Sequence, residues 1–305
     1  MMDPEIEIKN LTVVIPTYKR LDMLKKILDS IPRSIRVVVS DNGSSVPDSF
    51  ILEYPEFKFF KTDRLLEALE NWNHCIDLVD TEWFTIPSDD DLYYHDSFEI
   101  ISKYMDLNEK SDLIIFGHNV IDEKDNILST WKPTNIFNIV PPGAYSTFKY
   151  GVDARFPGMI FKKKLVVSND CFDTSYKITA GDSKLIQKCL LNGTVSFIAE
   201  VIAAYRVWPN NSTALTMASA AWLNEIDRWQ EEILAVAESK YSEKGLTLSV
   251  KKIKDEVYAR NFAGGISNKK KSAGFFSAMK FIFSNRYPYH ANLKTQLRIV
   301  LAVLK

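Results

Sequence analysis

Residues 11–41 read LTVVIPTYKRLDMLKKILDSIPRSIRVVVSD, and the alternation within that stretch decides the fold class. Leu11 to Pro16 (LTVVIP) is a short, apolar, β-branched run of the kind that forms a buried strand. Leu21 to Ser30 follows with apolar residues at 24, 27 and 28, one face of a helix. Ile35 to Ser40 (IRVVVS) is a strand again. Working outward, Phe57 to Lys61 reads as a strand, Leu65 to Leu78 as a helix, and Glu82 to Pro87 as a strand that runs into Ser88-Asp89-Asp90-Asp91. This strand–helix alternation predicts an α/β chain with a parallel sheet covered on both faces.

Further along, Asp112 to Gly117 and Ile127 to Trp131 are expected strands, the second reached through the Lys124-Asp125-Asn126 turn, so the sheet becomes mixed. Gly181 to Leu191 reads as a helix and Val195 to Val207 as a strand. Past Pro209-Asn210-Asn211-Ser212 the pattern is helical only: 217–240, 249–262, 272–283 and 291–304. A boundary near 212 therefore separates an α/β domain, 1–212, from a helical, basic C-terminal region, 213–305.

The composition is that of a globular protein, 46% apolar and 25% charged. Cys75, Cys171 and Cys189 are widely spaced with no C-x-x-C pair, which argues against a disulfide framework or a thiolate metal site. His74, His95, His118 and His290 share no zinc-site spacing. The first ten residues lack the features of a secretory signal, and no window approaches the ~18 consecutive apolar residues of a membrane span. A cytoplasmic location is expected. The net charge of -1 hides an asymmetry. From Val257 to Lys305 there are nine Lys or Arg and no Asp or Glu, so the other 29 basic residues face all 39 acidic ones.

In open α/β sheets, ligands bind outside the carboxyl ends of the strands. The residues there are Thr17-Tyr18, Asp41-Asn42-Gly43 and Ser88-Asp89-Asp90-Asp91. Three adjacent carboxylates repel one another unless a cation is present, and a hard divalent ion such as Mn²⁺ or Mg²⁺ shares carboxylate oxygens with water and phosphate. The alternative is an acidic turn capping a helix that begins near Asp96. Neither a G-x-x-x-x-G-K-[ST] nor a G-x-G-x-x-G loop is present to hold phosphate.

The segments VVIPTYKR (13–20), VVVSDNGS (37–44), ENWNHCIDLVDTEWFTIPSDDD (70–91), AGDSKLIQKCLLNG (180–193) and YRVW (205–208) resemble glycosyltransferase family 2, in order and spacing, over about residues 11–210. The resemblance implies a GT-A fold, a Rossmann-like mixed sheet that binds nucleotide-diphospho-sugars, and an inverting transfer of the bacterial polysaccharide or O-antigen type. It places Thr17, Tyr18, Arg20 and Asp41 around the nucleotide, with Asp41 accepting from uracil N3–H and Tyr18 stacking on the ring. It puts Arg64, Asn71 and Asn73 beside the ribose and diphosphate, and Arg206 beside the diphosphate or the acceptor. The first Asp of the family's D-x-D falls on Ser88, so Asp90 matches the metal-binding Asp, Asp89 is an alternative ligand also placed at the donor, and Asp91 completes the cluster. Asp182 matches the general base, with Gly181 where the family usually has Glu; its other reading is a helix N-cap. Trp208 stands where family members often have His, and indole cannot ligate a hard cation. Arg155-Phe156-Pro157-Gly158 falls on the acceptor side.

The implied reaction moves a sugar from a UDP-linked donor to a hydroxyl of a glycan acceptor, lipid-linked at the inner face of a membrane. Basic helices interleaved with aromatics bind anionic membrane surfaces. The alternative for 257–305 is a subdomain with its aromatics in its own core and its lysines solvated. No nucleic-acid motif accompanies the charge. Two rival functions are a metal-dependent nucleotidyltransferase and a non-catalytic nucleotide-sugar binding protein. The first calls for a Gly-rich loop after strand one, where this chain has Pro16-Thr17-Tyr18-Lys19-Arg20.

Overall fold

The computed structural model describes residues 8–208 and 216–304. It divides into two compact units. The first comprises Met1–Ala144, Asp153–Thr174 and Asn192–Trp208; the second comprises Tyr145–Val152, Ser175–Leu191 and Pro209–Lys305. The boundary expected near 212 lies outside the described residues.

The first unit is built on one ten-stranded mixed sheet in the order β3-β2-β1-β4-β9-β6-β10-β5, with β7 on β6 and β8 on β10. The strands are β1 Leu11–Thr17, β2 Arg36–Asp41, β3 Lys58–Lys61, β4 Trp83–Thr85, β5 Leu92–Tyr93, β6 Leu113–Ile121, β7 Ile127–Trp131, β8 Ile136–Ile139, β9 Met159–Lys162 and β10 Val195–Arg206. The first four strands of that order are parallel. Strand β7 pairs antiparallel with β6, the mixing expected from 112–131, and β9 also enters antiparallel between β4 and β6.

Every residue of β1 is buried, because helices cover both faces. Leu11, Val13 and Ile15 point into one core cluster with Val37 and Val39 of β2. The same cluster takes Leu24, Ile27 and Leu28 of α1 (Leu21–Asp29) and Phe98, Ile101 and Met105 of a helix over Ser97–Leu107, here α3. Each such side chain contributes about 1.5–3 kcal/mol over its exposed state. Helix α2 (Ala68–Asp77) starts with a capping box in which Glu67 and Glu70 satisfy each other's backbone N–H groups.

The register carries the consequence for function. Thr17 at the end of β1 is paired with Asp41 at the end of β2, and β4 ends just before the 86–91 loop. Three polar strand ends therefore meet along one edge of the parallel part of the sheet.

In the second unit, α4 (Gly181–Asn192) precedes α5 (Ala220–Glu243), α6 (Val250–Ser284) and α7 (Leu293–Leu304). The sequence predicts two helices, 249–262 and 272–283. The structure instead carries the helix through 263–271 and breaks it only at Gly274, whose φ is 80°. Packing decides the difference. A Cβ on Gly265 would come within 2.8 Å of the Phe281 ring and 3.1 Å of Ala218, so the glycine lets the ring of the second half of α6 close onto the first.

Candidate active site

The carboxylates at 89–91 sit in a turn closed from both sides. The N–H of Asp91 donates to the Ser88 carbonyl at 3.1 Å, and the N–H of Ser88 donates to Asp91 Oδ2 at 2.8 Å. Strand β5 follows at once and pairs antiparallel with β10, which brings the turn against Arg206 at the end of that strand.

Each carboxylate has a different set of partners. Asp91 is buried, and its second oxygen accepts the backbone N–H of Arg206 at 3.2 Å. Both of its oxygens are thus used by backbone donors. Burial, with Asp90 beside it, holds its carboxyl well above the usual carboxylate range. Asp89 is fully buried; its Oδ2 accepts the Thr17 hydroxyl at 2.8 Å, and its Oδ1 lies 2.6 Å from Arg20. Burial pushes it up to about 6, against the opposing pull of Arg20 and Thr17. Asp90 Oδ2 accepts from Arg20 at 2.6 Å and from the Trp208 indole N–H at 2.7 Å.

Arg20 therefore forks across Asp89 and Asp90, one nitrogen to each, while 44% of its side chain stays exposed. Asp89 and Asp90 each place an oxygen on the Arg20 guanidinium, an arrangement of two carboxylates on one cation. It fits an ion taking two carboxylates and completing its shell with water and phosphate. Asp91 does not share the convergence, and no group of three or more His, Cys, Asp or Glu side chains able to hold an ion occurs among the described residues. An open cleft of about 450 Å³ adjoins the fork, lined by Lys19, Arg20, Leu21, Asp22, Met23 and Trp208.

Arg206 is wholly buried and fixes the turn. Its Nε donates to the Asp90 carbonyl at 2.8 Å, one terminal nitrogen donates to the Asp122 carbonyl at 2.7 Å, and the other pairs with Asp125 at 2.5 Å. Its guanidinium shapes the backbone under the carboxylates.

The other residues expected around a nucleotide divide by exposure. Tyr18 is 39% exposed, with Lys19 over its ring. Asp41 is buried, and its oxygens accept the N–H and hydroxyl of Ser45 and the N–H of Val46. It braces the 41–46 turn, and no face of its carboxylate reaches solvent. Asn71 accepts the Ser40 hydroxyl at 2.6 Å, and Asn73 holds both the N–H and the carbonyl of Phe172. Arg64 is exposed and pairs with Glu70 at 3.3 Å. In Arg155-Phe156-Pro157-Gly158, Arg155 lies over the Tyr205 ring and Phe156 packs among Trp72, Phe161 and Phe172.

Asp182 belongs to the second unit. Helix α4 begins at Gly181, so Asp182 is its second residue rather than the residue before it; it is exposed, and its Oδ1 accepts the adjacent Ser183 N–H at 2.6 Å. The loop before it is held by α5, where the Glu225 carboxylate accepts the N–H groups of Lys177, Ile178 and Thr179. Glu232 of the same helix binds Lys184 and the Tyr176 hydroxyl, and Gln187 joins Trp229 to the Phe148 carbonyl.

The Arg20 fork and the Trp208 indole escaped the sequence reading as partners of Asp90. The available signal was the basic and aromatic pair at two strand ends, Arg20 after β1 and Trp208 after β10.

A parallel-to-mixed sheet with a buried carboxylate turn at the end of an inner strand defines a GT-A-type fold with a helical C-terminal region. The sequence model of Glycosyl transferase family 2 matches residues 12–166, just over half of the chain, and the protein belongs to that family. An uncharacterized glycosyltransferase of Rickettsia typhi is 26% identical over 216 residues, which are 66% of this chain and 65% of that relative's length. Among solved structures, S. aureus TarS 1–349 in complex with UDP-GlcNAc superposes with a TM-score of 0.62 at 15% identity, over 96% of this chain and 79% of that one. The mannosyltransferase PcManGT from Pyrobaculum calidifontis, in complex with GDP-Man and Mn²⁺, gives 0.51 at 13% identity, over 97% and 86%.

Proposed function

We propose that the protein is an inverting glycosyltransferase that moves a sugar from a UDP-linked donor to a hydroxyl of a glycan acceptor carried on a lipid. The observation that carries this reading is the pair Asp89 and Asp90, converging on one cation at the carboxyl end of β4 beside an open cleft. The α/β domain, about 1–212, supplies the donor side. TarS, which shares the fold, holds UDP-GlcNAc, and this supports a uridine donor.

Asp89 and Asp90 would hold Mn²⁺ or Mg²⁺, which offsets charge developing on the leaving diphosphate. Asp91 keeps the 88–91 turn in shape. Arg20, at the rim of the cleft, is placed to exchange carboxylate for phosphate oxygens, both of which match its planar fork. Tyr18 offers its ring to the base, and Thr17 and Asp41 order the two strand ends beside it. Arg206 supports the turn from below, while Asn71, Asn73 and Arg64 shape the donor side through α2. Asp182 takes the proton from the acceptor hydroxyl as that oxygen bonds to the anomeric carbon. The bond from that carbon to the diphosphate breaks on the opposite face, and the sugar inverts.

A thermal-shift panel of nucleotide sugars with and without Mn²⁺, followed by transfer assays on the donors that bind, tests the reading. A shift with UDP-sugars that needs the ion is expected. A shift with purine nucleotides alone would overturn the uridine assignment, and binding without turnover on any acceptor would make the protein a nucleotide-sugar receptor.

The pH dependence of the ion site follows from Asp89. Its carboxyl is raised to about 6, above the ordinary value of about 3.9. The folded protein therefore binds that proton more tightly than the unfolded chain, and the contribution of Asp89 to stability grows as pH falls from about 6 to about 4. Ion binding needs the ionised form and moves the other way. Mn²⁺ affinity measured by calorimetry should fall between pH 7.5 and 5.5, and Asp89→Asn should flatten that slope. An affinity independent of pH over this range would remove Asp89 from the ion site.

A further inference from the structure

Helix α7 is apolar on two opposite faces and covered on only one. Thr295 and Ile299 are buried, and Ala302 and Val303 pack on the small core formed by Ala218, Phe262, Ile266, Ala278 and Phe281. Leu293, Leu297, Val300, Leu301 and Leu304 recur at the spacing of one helical stripe and are all exposed, the two end leucines by 76% and 73%. Beyond the break at Gly274, Phe276 and Phe283 stand out from α6 at 87% and 81% exposure. Single exposed leucines are ordinary, but a continuous stripe of five on one helix, in a unit that also exposes two phenylalanines, marks an interaction surface.

The charge around the stripe identifies what covers it. From Val257 to Lys305 the chain carries nine cations and no carboxylate. Arg260 pairs with Glu256, and Arg286 lies 3.9 Å from Asp255. Among the described residues, Lys269, Lys271, Lys280, Lys294 and Arg298 have no carboxylate within ion-pair distance. Lys294 and Arg298 flank the leucine stripe on α7. A second copy of the chain would bring the same uncompensated cations face to face. Nucleic acid would use the cations and leave the leucines in water. A surface that accepts aliphatic and aromatic side chains while presenting negative charge around them is an anionic lipid monolayer.

No helix among the described residues is long and apolar enough to cross a membrane, so this contact lies in the plane of the interface. We infer that the exposed stripe of α7, with Phe276 and Phe283 of α6, seats the protein on an anionic lipid surface. This deepens the reading of a lipid-linked acceptor, and it rests on the helical region alone.

The test is cosedimentation of the full chain with vesicles of phosphatidylglycerol and phosphatidylcholine, against phosphatidylcholine alone, without donor or metal. Binding to the anionic vesicles that weakens as salt is raised is expected. Leu297→Glu with Leu301→Glu should reduce partitioning by roughly tenfold or more. Lys294→Gln with Arg298→Gln should reduce it about 25-fold, near fivefold for each charge. All four side chains are on the outer surface, and an unchanged circular dichroism melt shows that the variants fold. Absence of binding to anionic vesicles overturns the inference, and so does binding that survives the leucine substitutions. A dimer that dissociates in the Leu297→Glu, Leu301→Glu variant would give the face to a second copy instead. Because vesicle binding is read without turnover, its failure leaves the sugar-transfer reading standing, and failure of the donor panel leaves this one.

Discussion

Asp90→Asn is expected to fold like the parent and to lose sugar transfer by roughly 10²–10³-fold, the scale on which one preorganised charge contact is missed in a transition state. Asp91→Ala is expected to fail differently, through stability. Asn at 90 keeps an oxygen for the Arg20 and Trp208 donors and gives up the negative charge that a cation needs. Ala at 91 strips the acceptors from two backbone N–H groups, those of Ser88 and Arg206. A buried donor left without a partner costs about 1–3 kcal/mol, so the pair together approaches a large fraction of the ~5–15 kcal/mol by which a domain is stable. Denaturant unfolding of both variants, run beside release of the nucleotide diphosphate, separates the two effects. If Asp91→Ala melts with the parent yet loses ion-dependent transfer, Asp91 is a ligand and the division of roles within the turn is wrong.

Those two outcomes also show where the sequence stops being informative. β-Branched runs at 11–16 and 35–40 and the apolar residues 24, 27 and 28 mark β1, β2 and α1 to within a residue or two, because strand and helix periods are local properties of the chain. The 88–91 carboxylates could be placed at a strand end for the same reason. Their division into a pair held by Arg20 and a brace held by backbone N–H groups could not. It depends on Arg20, on Arg206 and on Trp208, which reach the turn across about 70 to 118 residues of sequence. Asp91 closes the turn, as the acidic-turn reading has it, while Asp89 and Asp90 converge on the Arg20 guanidinium, the arrangement on which the proposed ion site rests.

Polar residues at strand ends are ambiguous by nature. Asp41, Asn71 and Asn73 have the chemistry to hold a nucleotide, and equally the chemistry to satisfy nearby backbone and hydroxyl groups. In the structure Asp41 holds Ser45 and Val46, Asn71 accepts from Ser40, and Asn73 clasps Phe172. In the helical region, which the sequence marks as helical, only the continuity of α6 across 263–271 went unread. The approach of Phe281 to Gly265 shows why a residue without a side chain is needed there. Strand β8 went unread because its four residues are mostly exposed, which leaves no alternation for a pattern to detect.

Asp182→Asn is expected to lower the transfer rate by about 10²–10⁴-fold, the usual contribution of a positioned general base, with donor binding and thermal stability close to those of the parent. The structure makes this a clean substitution. Asn caps a helix about as well as Asp, and Asp182 in any case lies inside the first turn, where it accepts the neighbouring Ser183 N–H. Asn keeps a carbonyl oxygen for that bond. The loop before α4 is anchored independently by the Glu225 carboxylate on three consecutive N–H groups, so the local backbone should not respond to the change. A loss of rate with unaltered donor affinity and melting temperature therefore reports the missing base. A variant that melts several degrees lower and still transfers sugar at the parental rate would make Asp182 a structural residue. In that case the proton must leave through another group, and Glu225 and Glu232, already committed to backbone N–H groups, Lys184 and Tyr176, are poor candidates to take it.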